Sequence, residues 1–426
     1  MNIEEYLSHF DKFTKDPTLK AMEFIMKKFD NPHKKIKCVH IAGTNGKGSV
    51  AEMLNNCAIK AGYKVGKFIS PHLIEFNDGI CINNEPISNK EVEEILEPLS
   101  KAVEEYNKIN EIKVKWFEVI TSLAFIYFYK NKCDLAIIET GLGGTTDCTN
   151  IVNPIVSVIT SIGLDHIDIL GDTLEKIATH KAGIIKHNSE TVCINQPEVI
   201  KVFQEKCTKE NNKIHIINRE KITNYLYNKD FQKFDYKDYR NVEINLKGKV
   251  QIYNAAECLE TIDILKNYGF VFKKENIYEA LKTVIHRARM EKISENPSII
   301  FDGGHNENAI KNFKQNLEQY YKDDKKVFII SILKTKDHNT IIQELSEYKD
   351  AVFFFTNGVK EKPYVPAIEL AKEASKFIDE RNIFVKDLQD AIKDAKEKYE
   401  DRTIFIIGSF YVYKKIIEII NIKPNI

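Results

Sequence analysis

A short glycine-rich segment, Gly43-Thr44-Asn45-Gly46-Lys47-Gly48-Ser49, follows an apolar run at residues 36–42 and leads straight into a helical stretch. Its residue types suit a polyphosphate cradle. Glycine lacks the Cβ that would shield backbone N–H groups, and the start of the following helix adds partial positive charge. Lys47 supplies a mobile cation and Ser49 a hydroxyl suited to Mg2+. The strict phosphate-loop motif places four residues between its first glycine and the Gly-Lys pair, which would require glycine at Ile41. This segment is therefore a shortened form of that loop, and a plain strand-to-helix turn accounts less well for Lys47 and Ser49.

Such a loop needs a sheet behind it. Strand-like runs at 36–42, 64–70, 134–140 and 155–162 alternate with amphipathic stretches, which predicts a parallel α/β sheet. Near-continuous apolar runs such as Leu135-Ala136-Ile137-Ile138 suit strands covered on both faces by helices. Ligands gather beyond the carboxyl ends of such strands. There the polar residues fall: the loop after the first run, Ser70-Pro71-His72 after the second, Glu139-Thr140-Gly141-Leu142-Gly143-Gly144 after the third, and Ser161 through Asp165-His166 after the fourth. Singly, Ser70 is explained as a turn cap, Glu139 as a surface carboxylate and His166 as a structural histidine. Together, a carboxylate, an imidazole and hydroxyls around a polyphosphate suit Mg2+, although an imidazole is unusual for so hard a cation.

The segment Asp172-Thr173-Leu174-Glu175-Lys176-Ile177-Ala178-Thr179-His180-Lys181-Ala182-Gly183 reads as a short helix with Asp172 as N-cap and Gly183 as stop. Leu174, Ile177 and Ala178 share a face, and Lys181 falls on it. Two explanations stand level: a stem that snorkels from the last turn, or a partly desolvated amine facing a reaction site.

From 191 to 250 the pattern turns to shorter, polar-aromatic strands, before helices at 254–265 and 276–284. A break is expected near Ser294-Glu295-Asn296-Pro297, dividing the chain into domains 1–295 and 296–426. A second α/β series follows, with strands at 299–301, 327–332, 352–355, 383–385 and 404–407. It opens on Phe301-Asp302-Gly303-Gly304-His305-Asn306, where Asp302 could accept from a ribose hydroxyl and His305 could reach a phosphate, or the turn is an ordinary Asp-Gly turn. Arg289, just ahead, reads equally as a phosphate clamp or a surface ion pair.

The 426 residues suffice for two or three domains with sizeable cores. Lys plus Arg (62) equals Asp plus Glu (62), so no overall field recruits nucleic acid or an anionic membrane. No apolar run reaches membrane-span length, and eight scattered cysteines without a CxxC pair read as reduced thiols, so a cytoplasmic protein is expected.

In this order, the motifs resemble those of the folylpolyglutamate synthase and dihydrofolate synthase branch of the Mur ligase superfamily. The likeness runs through the loop at 43–49, Ile69-Ser70-Pro71-His72-Leu73, Glu139, the glycines at 141–144 and Asp147-Cys148-Thr149-Asn150. It continues through Thr160-Ser161-Ile162-Gly163-Leu164-Asp165-His166, Leu170-Gly171-Asp172, Lys181-Ala182-Gly183, Arg289-Met290-Glu291 and the 302–306 turn. The resemblance implies a P-loop-type parallel-sheet ATPase domain with a small additional β region, plus a smaller Rossmann-like C-terminal domain closing on ATP. It implies ATP contacts from Gly43, Thr44, Asn45, Gly46, Lys47, Gly48, Ser49, Gln251, Asn254, Arg289, Asp302 and His305. Mg2+, two ions, would be held by Ser70, Glu139, His166 and Ser49. Lys181, carbamylated, would act catalytically with Lys47 and His166, while Asp147, Thr149 and His72 would meet the acceptor.

The implied activity is ligation of L-glutamate to a folate, with dihydropteroate as a further acceptor, in a monomer. A Mur-type ligase for another carboxylate, a P-loop kinase or NTPase, and a noncatalytic nucleotide-binding module are the alternatives. Several positions depart from the family pattern. Thr145 replaces an arginine, Asp78-Gly79-Ile80 a Glu-Arg-Ile, His286-Arg287-Ala288 a Trp-Pro-Gly, Val250 a histidine and Glu307 a proline.

Overall fold

The computed structural model describes residues 3–11 and 18–420; the outermost residues of both expected domains, 1–2 and 421–426, lie outside that range. Eight strands form the first sheet: β1 Cys38–Ala42, β2 Val65–Phe68, β3 Ile80–Ile82, β4 Glu85–Pro86, β5 Leu135–Glu139, β6 Val156–Ile159, β7 Glu190–Ile194 and β8 Lys213–Ile217, in the order β4-β3-β2-β5-β1-β6-β7-β8. The six strands β2, β5, β1, β6, β7 and β8 run parallel, and β3 and β4 close one edge antiparallel. The four polar strand ends marked in the sequence therefore lie side by side on one rim, because β2, β5, β1 and β6 are consecutive neighbours.

Strand β1 shows how the rim is fixed. Its residues are all buried, with Val39 and Ile41 on one face and Cys38 and His40 on the other, the period-two alternation of a strand covered on both sides. Val39 and Ile41 pack with the helices Lys47–Lys60 and Lys249–Asn267. Cys38 packs on the side of the helices Asn89–Ile109 and Trp116–Lys130. Ser88 and Glu91 form a reciprocal capping box that starts the first of these.

The polar-aromatic region becomes a separate antiparallel sheet, β9 Ile222–Tyr227, β10 Gln232–Tyr236 and β11 Tyr239–Ile244. The helix after it begins at Lys249, ahead of the expected start, so Gln251 and Asn254 stand one turn apart on a single helix.

The last sheet contains β12 Glu291–Ser294, β13 Ile299–Asp302, β14 Lys326–Ile330, β15 Val352–Phe355, β16 Ile383–Val385 and β17 Thr403–Ile407, ordered β12-β13-β17-β14-β15-β16. All pairs are parallel except β12 with β13. Backbone pairing thus draws the chain into this sheet at Glu291, ahead of the break expected at 295/296.

Candidate active site

Gly46 caps the helix Lys47–Lys60 from the left-handed region (φ 97°), and no side chain caps that helix start. A helix leaves its first N–H groups without intrahelical acceptors, so the amides of Lys47, Gly48 and Ser49 are presented to an anion. The loop is tied to the end of β6: Thr44 N donates to Ser161 O at 2.9 Å, and Thr160 Oγ1 donates to Asn45 O at 2.8 Å. Contact is so close that a Cβ on Gly43 (φ 152°) would collide with Thr160 Oγ1, and one on Gly46 would lie 2.6 Å from Asn254 Oδ1.

Lys47 Nζ lies 3.8 Å from Glu139 Oε1 and donates to Gly43 O at 3.1 Å. Glu139, at the end of β5, is buried and receives the Ser70 amide at 3.4 Å. Burial pushes its carboxyl up to about 7, against the pull of Lys47, the Ser70 amide and Arg289. A carboxylate desolvated and so weakly partnered is a natural ligand for a hard cation. Ser70 lies beside it, and Ser49 Oγ lies 2.9 Å from His286 Nδ1. Desolvation, with Arg289 and Lys67 near, holds His286 neutral.

Lys181 settles the choice left open by its periodicity. It is buried at 4% exposure and donates to Gly43 O at 2.8 Å, so it does not snorkel. Burial lowers its ammonium to about 7, and Lys47 adds to the fall. His166 sits half-exposed in the left-handed region (φ 51°) with Nε2 3.9 Å from Asp165 Oδ1. Desolvation lowers its imidazole, against Asp165 and with Lys336, Lys47 and Lys181.

The second domain comes to this rim. Lys336 Nζ donates to Asp165 Oδ1 at 2.8 Å, and Asn306 Nδ2 reaches Asp165 Oδ2 at 3.1 Å and Asn45 Oδ1 at 3.4 Å. Burial opposes ionisation of Asp165, but Lys336 and His166 outweigh it and hold the carboxyl well below its ordinary range. Asp302 is fixed by the amides of Met290 (2.9 Å) and Gly304 (2.7 Å). Arg289 stacks on Phe410 with its guanidinium carbon 4.3 Å from the ring centre. His305 Nδ1 pairs with Gly303 O at 2.8 Å, and burial drops the ring to about 4. Between the domains lies a cleft whose walls include Asn45, Gly46, Ser49, Gln251, Asn254, Arg289, Asp302 and His305.

A phosphate loop faced across a cleft by a second α/β domain is an arrangement that the comparisons with known proteins identify. Residues 41–262 match the Mur ligase middle-domain model, and residues 279–419 the dihydrofolate synthetase C-terminal-domain model. The dihydrofolate synthase/folylpolyglutamate synthase of Bacillus subtilis is 34% identical over 420 residues, 94% of each chain. The chain belongs to this family of Mur ligases. Among solved family structures, a Mycobacterium tuberculosis folylpolyglutamate synthase complexed with ADP and AMPPCP matches with a TM-score of 0.88 at 26% identity, covering 99% of this chain and 98% of that one. An FPGS-AMPPCP-folate complex matches with a TM-score of 0.81 at 26% identity, covering 99% of this chain and 100% of that one.

For this family member, one sequence expectation needs correction, the cap of the helix carrying Lys181, and Asp147 and Thr149 take a bracing part in the structure. Asp147 and Thr149, expected to meet the acceptor, are buried. Asp147 Oδ2 accepts from Leu142 N at 2.8 Å, its Oδ1 accepts from both Thr149 N and Thr149 Oγ1, and Thr149 Oγ1 lies 2.8 Å from His40 Nε2. The bond from Leu142 N braces the glycine turn that follows Glu139. The helix carrying Lys181 spans Leu174–Ala182 and is capped by Thr173, not Asp172, because Thr173 Oγ1 receives the Lys176 amide; Asp172 instead pairs with Lys176 Nζ. His72 does lie on the rim, half-buried, with its ring 5.7 Å from that of Trp116.

Sequence reasoning gave no role to His286 at Ser49, to Asn306 across the domains, or to Thr160 under the loop. Lys67 on β2, buried against Glu52 at 2.7 Å, also passed unnoticed, although a lysine inside an apolar strand was a readable signal.

Proposed function

We propose that this protein is an ATP-dependent ligase that adds L-glutamate to the carboxylate of a folate through an acyl phosphate. The observation that carries the reading is the uncapped loop helix facing the Asp302-to-Asn306 turn across one cleft. It holds a nucleotide on one wall and lets the other domain close on it.

An acceptor carboxylate oxygen attacks the γ-phosphorus; the bond to the β-bridging oxygen breaks and ADP leaves. The amine of glutamate then attacks the acyl carbon, sheds a proton, and expels phosphate to give the amide. No side chain need form a covalent intermediate. The chain positions and neutralises: the amides of Lys47, Gly48 and Ser49 and the Lys47 ammonium grip the phosphates, and Arg289 closes from the cleft wall. Gln251, Asn254, Asp302 and His305 border the rest of the nucleotide.

The donor set fits Mg2+. Glu139 would be its principal ligand, with Ser49, Ser70 and His166 at the same rim; bound there as two ions, Mg2+ would neutralise developing phosphate charge. The low-lying Lys181 amine suits carbamylation: its nitrogen lone pair attacks the carbon of CO2, a proton leaves, and an anion replaces a potential cation. The C-terminal match to the dihydrofolate synthetase model supports dihydropteroate as a second acceptor. Eight free cysteines support a reducing, cytoplasmic setting.

The test is to incubate the protein with MgATP, L-glutamate and each acceptor separately, following ADP and acceptor mass. An acceptor heavier by one glutamyl unit, with ADP release that requires acceptor, is the expected result. ADP formed equally without acceptor or glutamate would replace this reading with an NTPase.

A further inference from the structure

The segment joining the two domains carries a residue that reaches back into the phosphate loop. His286 Nδ1 lies 2.9 Å from Ser49 Oγ, and Ser49 is 2% exposed in the first turn of the loop helix. The other ring nitrogen, Nε2, lies over Gly48: a Cβ built there would be 3.0 Å from Nε2 and 3.8 Å from Glu139 Oε2. His286 therefore touches Ser49 and covers Gly48, next to which Glu139 also lies. Further along the same segment, Arg289 stacks on Phe410 of the second domain.

We propose that His286 is a positioning residue for Ser49: its Nδ1 accepts the hydroxyl proton, so that the oxygen lone pairs of Ser49 turn toward the nucleotide-bound cation. The proposal rests on the ligase reading only in placing magnesium-nucleotide at this loop.

A neutral imidazole has one proton for two nitrogens. In the tautomer protonated at Nε2, Nδ1 is the nitrogen free to accept from the Ser49 hydroxyl. A serine in a helix's first turn otherwise has a free rotor, and an oxygen whose proton points outward repels a cation. Fixing the proton inward removes that choice. An imidazole nitrogen can accept from Ser49, as a donor-only ring such as indole could not. The contact also ties the loop to the interdomain segment, so that the orientation of Ser49 follows the placement of the second domain.

The test measures ADP binding by calorimetry with and without Mg2+, in the full chain. His286→Phe keeps a ring but removes the acceptor; His286→Asn keeps an acceptor near the Nδ1 position. Loss of one neutral hydrogen bond predicts that His286→Phe weakens MgADP about tenfold and leaves Mg2+-free ADP unchanged. His286→Asn should recover most of the loss, and His286→Phe should add nothing in a Ser49→Ala background. If His286→Phe does not fold, His286→Gln, whose acceptor sits near Nε2 instead, replaces it and is expected to behave in the same way. Unchanged MgADP affinity, an equal loss without Mg2+, or an effect that persists on Ser49→Ala would overturn the proposal. Were Mg2+ not to strengthen ADP binding to the wild-type protein, the nucleotide reading itself would fail instead.

Discussion

Lys181 Nζ donates a 2.8 Å hydrogen bond to the carbonyl oxygen of Gly43, the first residue of the phosphate loop. The pair joins the helix Leu174–Ala182 to the end of β1 from inside the protein, where a lysine is rarely tolerated unless it has work to do. Its amine is desolvated and stands near Lys47 as well as Asp165, Asp147 and Glu139. An anion made from that amine would reverse the local charge balance beside the γ-phosphate.

Lys181→Ala should therefore abolish turnover while leaving ATP affinity within about threefold of wild type, because the loop amides and Lys47 remain. Wild-type turnover by this variant would remove Lys181 from the chemistry. Isotopically labelled bicarbonate should give a carbamate resonance in the wild type that is missing in the variant.

The depressed ammonium also fixes a pH dependence. Folded Lys181 loses its proton near 7, whereas an unfolded lysine holds it to 10.5, so between these values the unfolded state binds more protons. The lysine penalty is full below pH 7 and is relieved as pH rises through that window. Without bicarbonate, the stability of wild type relative to Lys181→Met should climb from neutral to alkaline pH in denaturant titrations. A flat difference would contradict the desolvation argument.

Much of this site was legible because its residues interrupt a strong pattern. The strands β1, β2, β5 and β6 are apolar runs, so the glycines at 43–48, Ser70, Glu139 and Asp165 stood out where each run stopped. Lys181 stood out by falling on an apolar helical face. What escaped were contacts between segments far apart in sequence. His286 meets Ser49 across 237 positions and Asn306 meets Asp165 across 141, and no local period encodes such a distance. The bracing part of Asp147 was hidden for another reason: a carboxylate next to a glycine turn reads alike in sequence whether it faces outward or, as here, accepts from the turn's own amide. Short β12 lacks an apolar run, so only its pairing with β13 reveals the sheet edge.

The Lys336–Asp165 bridge should hold the domains in register over the nucleotide. Its side chains are 11% and 14% exposed, so removing one partner strands a largely buried charge, a cost of about 2 kcal/mol. Lys336→Met is expected to lower kcat/KM about thirtyfold, and the Asp165→Asn, Lys336→Met double variant should lose less than the sum of the single variants. Strict additivity would show that the bridge does not act as a unit.

Gly46→Ala should weaken both nucleotide binding and folding. A non-glycine residue in the left-handed region costs about 1–2 kcal/mol, and the new methyl would press on Asn254 Oδ1 at 2.6 Å. Gly62→Ala, with left-handed backbone (φ 92°) but open space around it, supplies the backbone cost alone. Equal ATP affinity in the two variants would show that contact with Asn254 is irrelevant.

Activation of the acceptor carboxylate by phosphorylation fixes where one of its oxygens must go. An acceptor labelled with heavy oxygen in its terminal carboxylate, turned over with MgATP and L-glutamate, tests that step. One labelled oxygen per amide formed should appear in the released phosphate; phosphate carrying only solvent or ATP oxygen would contradict the mechanism.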